Sequence, residues 1–287
     1  MTKREPSELS WQVNGLTLGG LSWGDPELPP LLMLHGWLDN AASFSLLAPF
    51  FPDHYVVAID LTGHGKSDRR SADANYQIWE DLPEIMGVVE HLGWTDFDLL
   101  GHSRGAIIAS LLASSFPEKI KHLVLLDAII PQAVAEEEFP AQLRKYLEQK
   151  PSLVNAKNRI FADLGDAVVL REKNGLSGTA AKLIVERGLT SCDEGLTWTT
   201  DRRLYGASAV KLTQGQIQAV LQNLAMPALL LLAEGGRMAL TVELESTLKS
   251  APQLQVEFVA GGHHFHMENS VASVADRIQN LLQGDKA

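Results

Sequence analysis

The segment Gly101-His102-Ser103-Arg104-Gly105 holds the residues best placed for chemistry. A serine with glycines two residues away on either side can sit on a tight strand-to-helix turn. Its hydroxyl is then exposed, and the helix N-terminus beneath it favours negative charge. Glycine suits both flanks because the backbone must close there without a side chain in the way. A serine hydroxyl is a weak nucleophile until a neighbouring base takes its proton. Candidate bases stand far along the chain, in Gly262-His263-His264-Phe265-His266. A histidine that follows the serine in sequence fits the order serine, acid, histidine. Three histidines in four residues also resemble metal ligands, but no cysteine and no carboxylate cluster stands nearby at ligand spacing. Neither a metal nor a cofactor is therefore expected. His102 reads as a packing residue, because neighbours on such a turn point apart.

An attacked carbonyl becomes an oxyanion, which needs backbone donors aimed at it. The N–H of Arg104 supplies one. The N–H of Trp37, in His35-Gly36-Trp37 just after the apolar run Leu31 to Leu34, is the natural second.

The surrounding pattern is suited to hold these groups. Leu16 to Trp23 alternates as a strand. Leu31 to Leu34, Tyr55 to Ile59, Phe97 to Leu100 and Leu123 to Leu126 are short and apolar throughout, as buried strands are. Helical spacing runs over Ser43 to Phe50, Tyr76 to Leu92 and Ala106 to Phe116. Apolar strands alternating with helices predict a mostly parallel sheet covered on both faces. The rhythm stops after Ile130. Residues 131–225 read as polar and helical, an inserted cap, and the strand pattern resumes with Ala228 to Leu232 and Leu254 to Val259. A last amphipathic helix covers Val271 to Leu282. The expected organisation is a core of residues 1–130 and 226–287 with a cap of residues 131–225 between its halves.

Composition narrows the partners. The chain has 287 residues, 45% of them apolar and 21% charged, with 35 acidic against 24 basic side chains and a net charge of −11. A sizeable core can form, and the acidic balance argues against nucleic acid. The single cysteine, Cys192, permits no intrachain disulfide. Met1 to Ser10 has no signal-like apolar stretch, and no run is long enough to span a bilayer. A cytoplasmic location with no membrane association is expected.

Taken together, these residues resemble the α/β-hydrolase superfamily over nearly the whole chain. His35-Gly36-Trp37 resembles its oxyanion strand end, Asp60-Leu61-Thr62-Gly63-His64-Gly65-Lys66-Ser67 its D-x-x-G-x-G-x-S loop, and Gly101 to Gly105 its nucleophile elbow. Gly262-His263 with His266-Met267-Glu268 resembles its G-H-x-x-H-x-E ending, which selects His263 as the base. His35 to Asn40, Arg187-Gly188-Leu189 and Asp201 to Leu204 are most similar to the serine hydrolase-like group. The resemblance implies an α/β-hydrolase fold and a Ser103–His263–acid triad. It departs at the acid, because the usual Asp position is Gly236, in Ala233-Glu234-Gly235-Gly236-Arg237. Asp127, at the end of the strand after the nucleophile helix, is the preferred substitute. Glu234 is the alternative, and a missing acid the third case. The expected activity is hydrolysis of a small-molecule carboxylic ester, thioester or amide through an acyl-enzyme. A C–C hydrolase or perhydrolase could use the same triad, and a non-catalytic binding protein on the same fold is the rival. Epoxide hydrolase and haloalkane dehalogenase chemistry would instead want Asp at position 103.

Overall fold

Strands that are apolar at every position must be covered on both faces, and the chain supplies that cover. The computed structural model describes residues 5–238 and 241–284, so the reading of Met1 to Arg4 lies outside the described residues. In chain order the first strands are β1 (Ser7–Val13), β2 (Leu16–Trp23), β3 (Pro30–Leu34) and β4 (Tyr55–Ile59). Then come α1 (Leu82–His91), β5 (Phe97–His102), α2 (Arg104–Ser115) and β6 (Ile120–Leu126). The segment after β6 contains α3 (Phe139–Val154), β7 (Ile160–Phe161), α4 (Leu164–Lys173), α5 (Gly178–Gly188), β8 (Leu189–Cys192), β9 (Gly195–Trp198) and α6 (Gln214–Gln222). The chain finishes with β10 (Ala228–Gly235), α7 (Val242–Leu248), β11 (Leu254–Gly262) and α8 (Val271–Gln283).

Eight strands form one sheet in the order β1-β2-β4-β3-β5-β6-β10-β11. β1 and β2 join antiparallel, and β2 meets β4 antiparallel. Every pairing from β4 across to β11 is parallel. Successive residues of a strand face opposite sides. Leu32 and Leu34 of β3 therefore pack with α1, α2 and α6 through Val88, Leu112 and Leu221. Leu31 and Met33 pack on the other side with Phe44, Leu47 and, from α8, Val274 and Ile278. The parallel strands of the centre end together at one edge of the sheet, where ligands of such sheets bind.

Three expectations change. Ser43 to Phe50 does not form one helix but two short 3-10 turns, Ala41–Phe44 and Ala48–Phe50. Pro49 lies within the second, and the side chain of Asn40 caps the first. The helix expected from Tyr76 begins at Leu82, after a 3-10 turn at Ile78–Asp81, with Pro83 in its first turn. Proline is tolerated there because the first helical N–H groups lack partners anyway. The stretch expected to be helical throughout also holds a small antiparallel sheet in the order β7-β9-β8. Its β8–β9 hairpin turns at Asp193-Glu194, and Gly195, at φ 140°, supplies a conformation that side chains resist. β1 was hidden in a polar N-terminus. Its inward residues Trp11 and Val13 are buried while Glu8, Ser10 and Gln12 are not, the alternation of a half-buried edge strand.

Candidate active site

Backbone geometry fixes Ser103, the candidate nucleophile, first. Ser103 follows β5 and opens α2 at φ 52°, and its N–H donates to the carbonyl of Leu126 at 2.9 Å. A Cβ at Gly101 would lie 2.3 Å from the Gly105 carbonyl oxygen, and one at Gly105 would lie 2.0 Å from that of Leu34. Both glycines are required by close backbone approach. The Oγ of Ser103 lies 2.9 Å from Nε2 of His263, which comes from the loop after β11. Nδ1 of the same ring lies 2.5 Å from Oδ2 of Asp127. Ser103, His263 and Asp127, all singled out in the sequence, are thus brought together. Glu234 is exposed near the end of β10, and the ring it would have served is already bonded to Asp127.

Asp127 follows β6 at φ 51°, and its side chain is fully buried. Two amides hold its carboxylate, Ala233 N–H on Oδ1 at 3.1 Å and Arg237 N–H on Oδ2 at 2.9 Å. A Cβ built on Gly236 would fall 2.2 and 2.5 Å from the two carboxylate oxygens. The acid therefore fills the volume that a side chain at 236 would take. Glycine at 236 and aspartate at 127 are two halves of one arrangement.

The amides expected as oxyanion donors can be traced by asking where each amide is used. Leu38 N–H donates to Nε2 of His64 at 3.2 Å, Asp39 N–H to the Gly36 carbonyl, and Ala106 N–H to the Ser103 carbonyl. Among the described residues the amides of Trp37 and Arg104 carry no such bond. The first N–H groups of a helix have no partner within it, which leaves that of Arg104 available. The indole of Trp37 is anchored separately, donating to the Leu204 carbonyl at 3.0 Å. The Arg104 side chain also has work that sequence did not suggest, since it pairs with buried Asp81 at 2.6 Å.

Two neutral histidines hold the loop after β3. His35 donates from Nδ1 to the Gly36 carbonyl and accepts the Leu61 N–H at Nε2. His64 donates from Nδ1 to the Thr62 carbonyl while accepting from Leu38. Burial pushes His35 below the ordinary imidazole range and His64 well below it. The D-x-x-G-x-G-x-S loop thus acts through Asp60 and His64 as a brace for the loop after β3. Asp60 accepts the Ala41 N–H at 2.7 Å and the Lys66 N–H at 2.9 Å. Arg187 of α5 completes it, with Nε 3.0 and 2.9 Å from the two carboxylate oxygens. Further links tie the intervening segment to the core. Tyr76 donates to Asp201 at 2.9 Å, and Arg203 donates to the carbonyls of Arg70 and Ser71. Arg187, Asp201 and Arg203 are therefore structural clamps.

The second half of the histidine cluster differs from expectation. His102 is fully buried, as a packing residue should be, and its Nε2 donates to the His263 carbonyl at 2.9 Å. His266 lies in a short 3-10 turn rather than an open loop, its ring 4.2 Å from that of His102. Burial, reinforced by the neighbouring imidazoles, holds both well below the usual range. His264 reaches Asp39, with Nε2 3.1 Å from Oδ2. A carboxylate does therefore stand beside the histidines, brought by the loop after β3 and not by local sequence. Burial would raise the Asp39 carboxyl, yet His264 and Arg171 outweigh it and hold the group well below the carboxylate range. A pocket of about 250 Å³ opens over Ser103 and His263, walled by Trp37, Leu38, Arg171 and Leu176.

A family model described as alpha/beta hydrolase fold matches residues 29–176. The human serine hydrolase-like protein 2 is 31% identical, over 96% of this chain and 94% of that protein. A crystal structure of a hypothetical protein from Pseudomonas aeruginosa PAO1 superposes with a TM-score of 0.90 at 36% identity, covering 95% of this chain and 97% of the other. A thioesterase domain from the curacin biosynthetic pathway superposes at 0.86 with 27% identity, covering 96% and 99%. Among the described residues no helix is long and apolar enough to cross a membrane.

Proposed function

The chain belongs to the alpha/beta hydrolase fold family, and on that premise we propose that it is a serine hydrolase that cleaves carboxylic esters or thioesters through Ser103, His263 and Asp127. The observation that carries this reading is the unbroken line from Ser103 Oγ to His263 Nε2, 2.9 Å, and from His263 Nδ1 to Asp127, 2.5 Å. His263 takes the hydroxyl proton as Oγ attacks the substrate carbonyl. Asp127 keeps the ring in the tautomer that accepts at Nε2, and it stabilises the imidazolium that forms. The amide N–H groups of Trp37 and Arg104 receive the negative charge on the carbonyl oxygen. The imidazolium then protonates the departing alcohol or thiol, leaving an acyl-serine. A water that gives its proton to His263 attacks that acyl group, and the carboxylic acid leaves as Ser103 recovers its proton.

The resemblance to a thioesterase domain supports the thioester branch. Residues 131–225 serve as the cap, contributing Arg171, Asn174 and Leu176 to the pocket wall. The rival reading of a non-catalytic binding protein drew its strength from Gly236, and it loses that support once the Asp127 carboxylate fills the space beside that glycine.

A fluorophosphonate probe tests the reading, because it bonds only to an activated serine. Wild type should be labelled and Ser103→Ala should not. Absence of labelling on the folded wild-type protein would overturn it.

A further inference from the structure

We propose that Asp39, His102 and His264 form a binding site for a divalent transition-metal ion such as Zn2+ on the floor of the pocket, and that metal bound there inhibits the serine. The argument begins with a tautomer. A carbonyl oxygen only accepts, so Nε2 of His102, 2.9 Å from the His263 carbonyl, carries the ring's proton. Nδ1 therefore presents a lone pair. That atom is fully buried and has no hydrogen-bond partner among the described residues. Oδ2 of Asp39 lies 3.9 Å from it, too far for a shared proton. Nε2 of His264 approaches the same oxygen at 3.1 Å.

Two electron-pair donors thus face each other with no hydrogen between them, and Nε2 of His264, which becomes a third once its proton moves to Nδ1, stands alongside. All three atoms lie within 4.8 Å of one another. The gap exists because position 36 is glycine. A Cβ there would sit 2.9 Å from Nδ1 of His102 and 3.2 Å from Oδ2 of Asp39. Two imidazoles and a carboxylate are a ligand set that zinc favours, with bonds of about 2.0–2.2 Å and a fourth position left for water. The ligands must draw together by roughly an ångström, and His264 must move its proton from Nε2 to Nδ1. Arg171 can stay, since its partner is the other oxygen, Oδ1.

The position explains inhibition. Asp39, His102 and His264 line the same pocket as Ser103 and His263. The His102 ring centroid is 4.7 Å from that of His263. A divalent charge there opposes the imidazolium that must form during acylation.

Calorimetry with Zn2+ and the visible d–d absorption of bound Co2+ test the site without reference to turnover. Wild type should bind one ion per chain with a tetrahedral cobalt spectrum. His264→Gln should lose at least about tenfold in affinity, equal to roughly 1.4 kcal/mol. Asp39→Asn should do the same, and serves if the first variant fails to fold. Fluorophosphonate labelling of wild type should slow at the same Zn2+ concentration that fills the site, and recover with chelator. Failure of wild type to bind one ion per chain would overturn the site, and so would undiminished binding in both variants, which would place the ion elsewhere. Saturating metal that leaves the labelling rate unchanged would overturn the inhibition. A wild type that is never labelled would refute the hydrolase reading and leave the binding result standing.

Discussion

Replacing Asp127 by asparagine isolates the charge of the acid while keeping its shape. Three donors converge on the two carboxylate oxygens: Ala233 N–H on Oδ1, and Arg237 N–H with His263 Nδ1–H on Oδ2. A carboxamide has one acceptor oxygen, so its NH2 group must face a donor. The cheaper orientation turns NH2 toward Ala233, which strands one buried N–H at a cost of about 1–3 kcal/mol in stability. The oxygen can then still receive His263, but it carries no charge to balance imidazolium. Loss of the acid in such triads costs about 10⁴ in kcat, or roughly 5.4 kcal/mol in the barrier at about 1.36 kcal/mol per decade. Turnover of an activated ester such as p-nitrophenyl acetate, normalised to folded protein, measures it. The reciprocal experiment restores the carboxylate from the other strand. In Asp127→Gly/Gly236→Asp, the new side chain grows from a point 2.2–2.5 Å from where the lost oxygens stood. It should recover at least tenfold over Asp127→Gly alone. Glycine at 127 suits the positive φ of 51°. If Asp127→Asn keeps kcat within threefold of wild type, Asp127 is not the triad acid, and the argument built on the space beside Gly236 fails with it.

Arg187→Ala leaves the fully buried Asp60 without the cation that grips both its oxygens; breaking such a pair should lower unfolding free energy by about 3–5 kcal/mol in a urea titration, and a loss under 1 kcal/mol would show the clamp to be idle. Gly105→Ala forces a Cβ to within 2.0 Å of the Leu34 carbonyl, so α2 must shift; the variant should lose esterase activity and native near-ultraviolet circular dichroism, whereas an active, native-like variant would contradict the close approach. His35, His64, His102 and His266 all have imidazoles lowered by burial from the ordinary value of 6.5. Below about pH 6.5 the unfolded chain binds protons that the folded chain refuses, so stability is full above that pH and falls on acidification toward the depressed folded values, by up to ~1.4 kcal/mol per pH unit for each ring. Urea midpoints at pH 7.5 and 5.5 check the sign, and equal midpoints would mean that these rings take up protons in the fold.

His263 was separated from His264 and His266 only by the resemblance to the family's ending, whereas Ser103, Trp37 and Arg104 could be proposed from local spacing, which specifies their surroundings: a strand, a glycine-bounded turn, a strand end. The buried strands were legible for the same reason, each being a short run without polar residues. The acid was not, since Asp127 and Glu234 both stand near strand ends and only the packing of Gly236 against one of them separates the two. Asp39 escaped notice because it meets His264 across 225 residues of chain, and no local pattern records such a contact. The small sheet of β7, β8 and β9 was read as helix because its strands are two to four residues long, too short for alternation to register.

One feature of the strand ends bears on the order in which the protein is made. Ser103 and Asp127 close adjacent strands, and the amide of Ser103 is bonded to Leu126, so the serine's turn is fixed by the first half of the chain, whereas Asp127 is held by Leu231, Ala233 and Arg237, which follow more than a hundred residues later. The base arrives 160 residues after the serine and 136 after the acid. A ribosome that has emitted β6 has exposed a shaped but inert serine, and no local turn can arm it. Reactivity appears only when β10 and β11 have docked and the loop beyond them closes. A nascent chain, or one cut short before residue 263, therefore cannot attack its surroundings, and reaction of Ser103 with a probe reports that the last strands are in place.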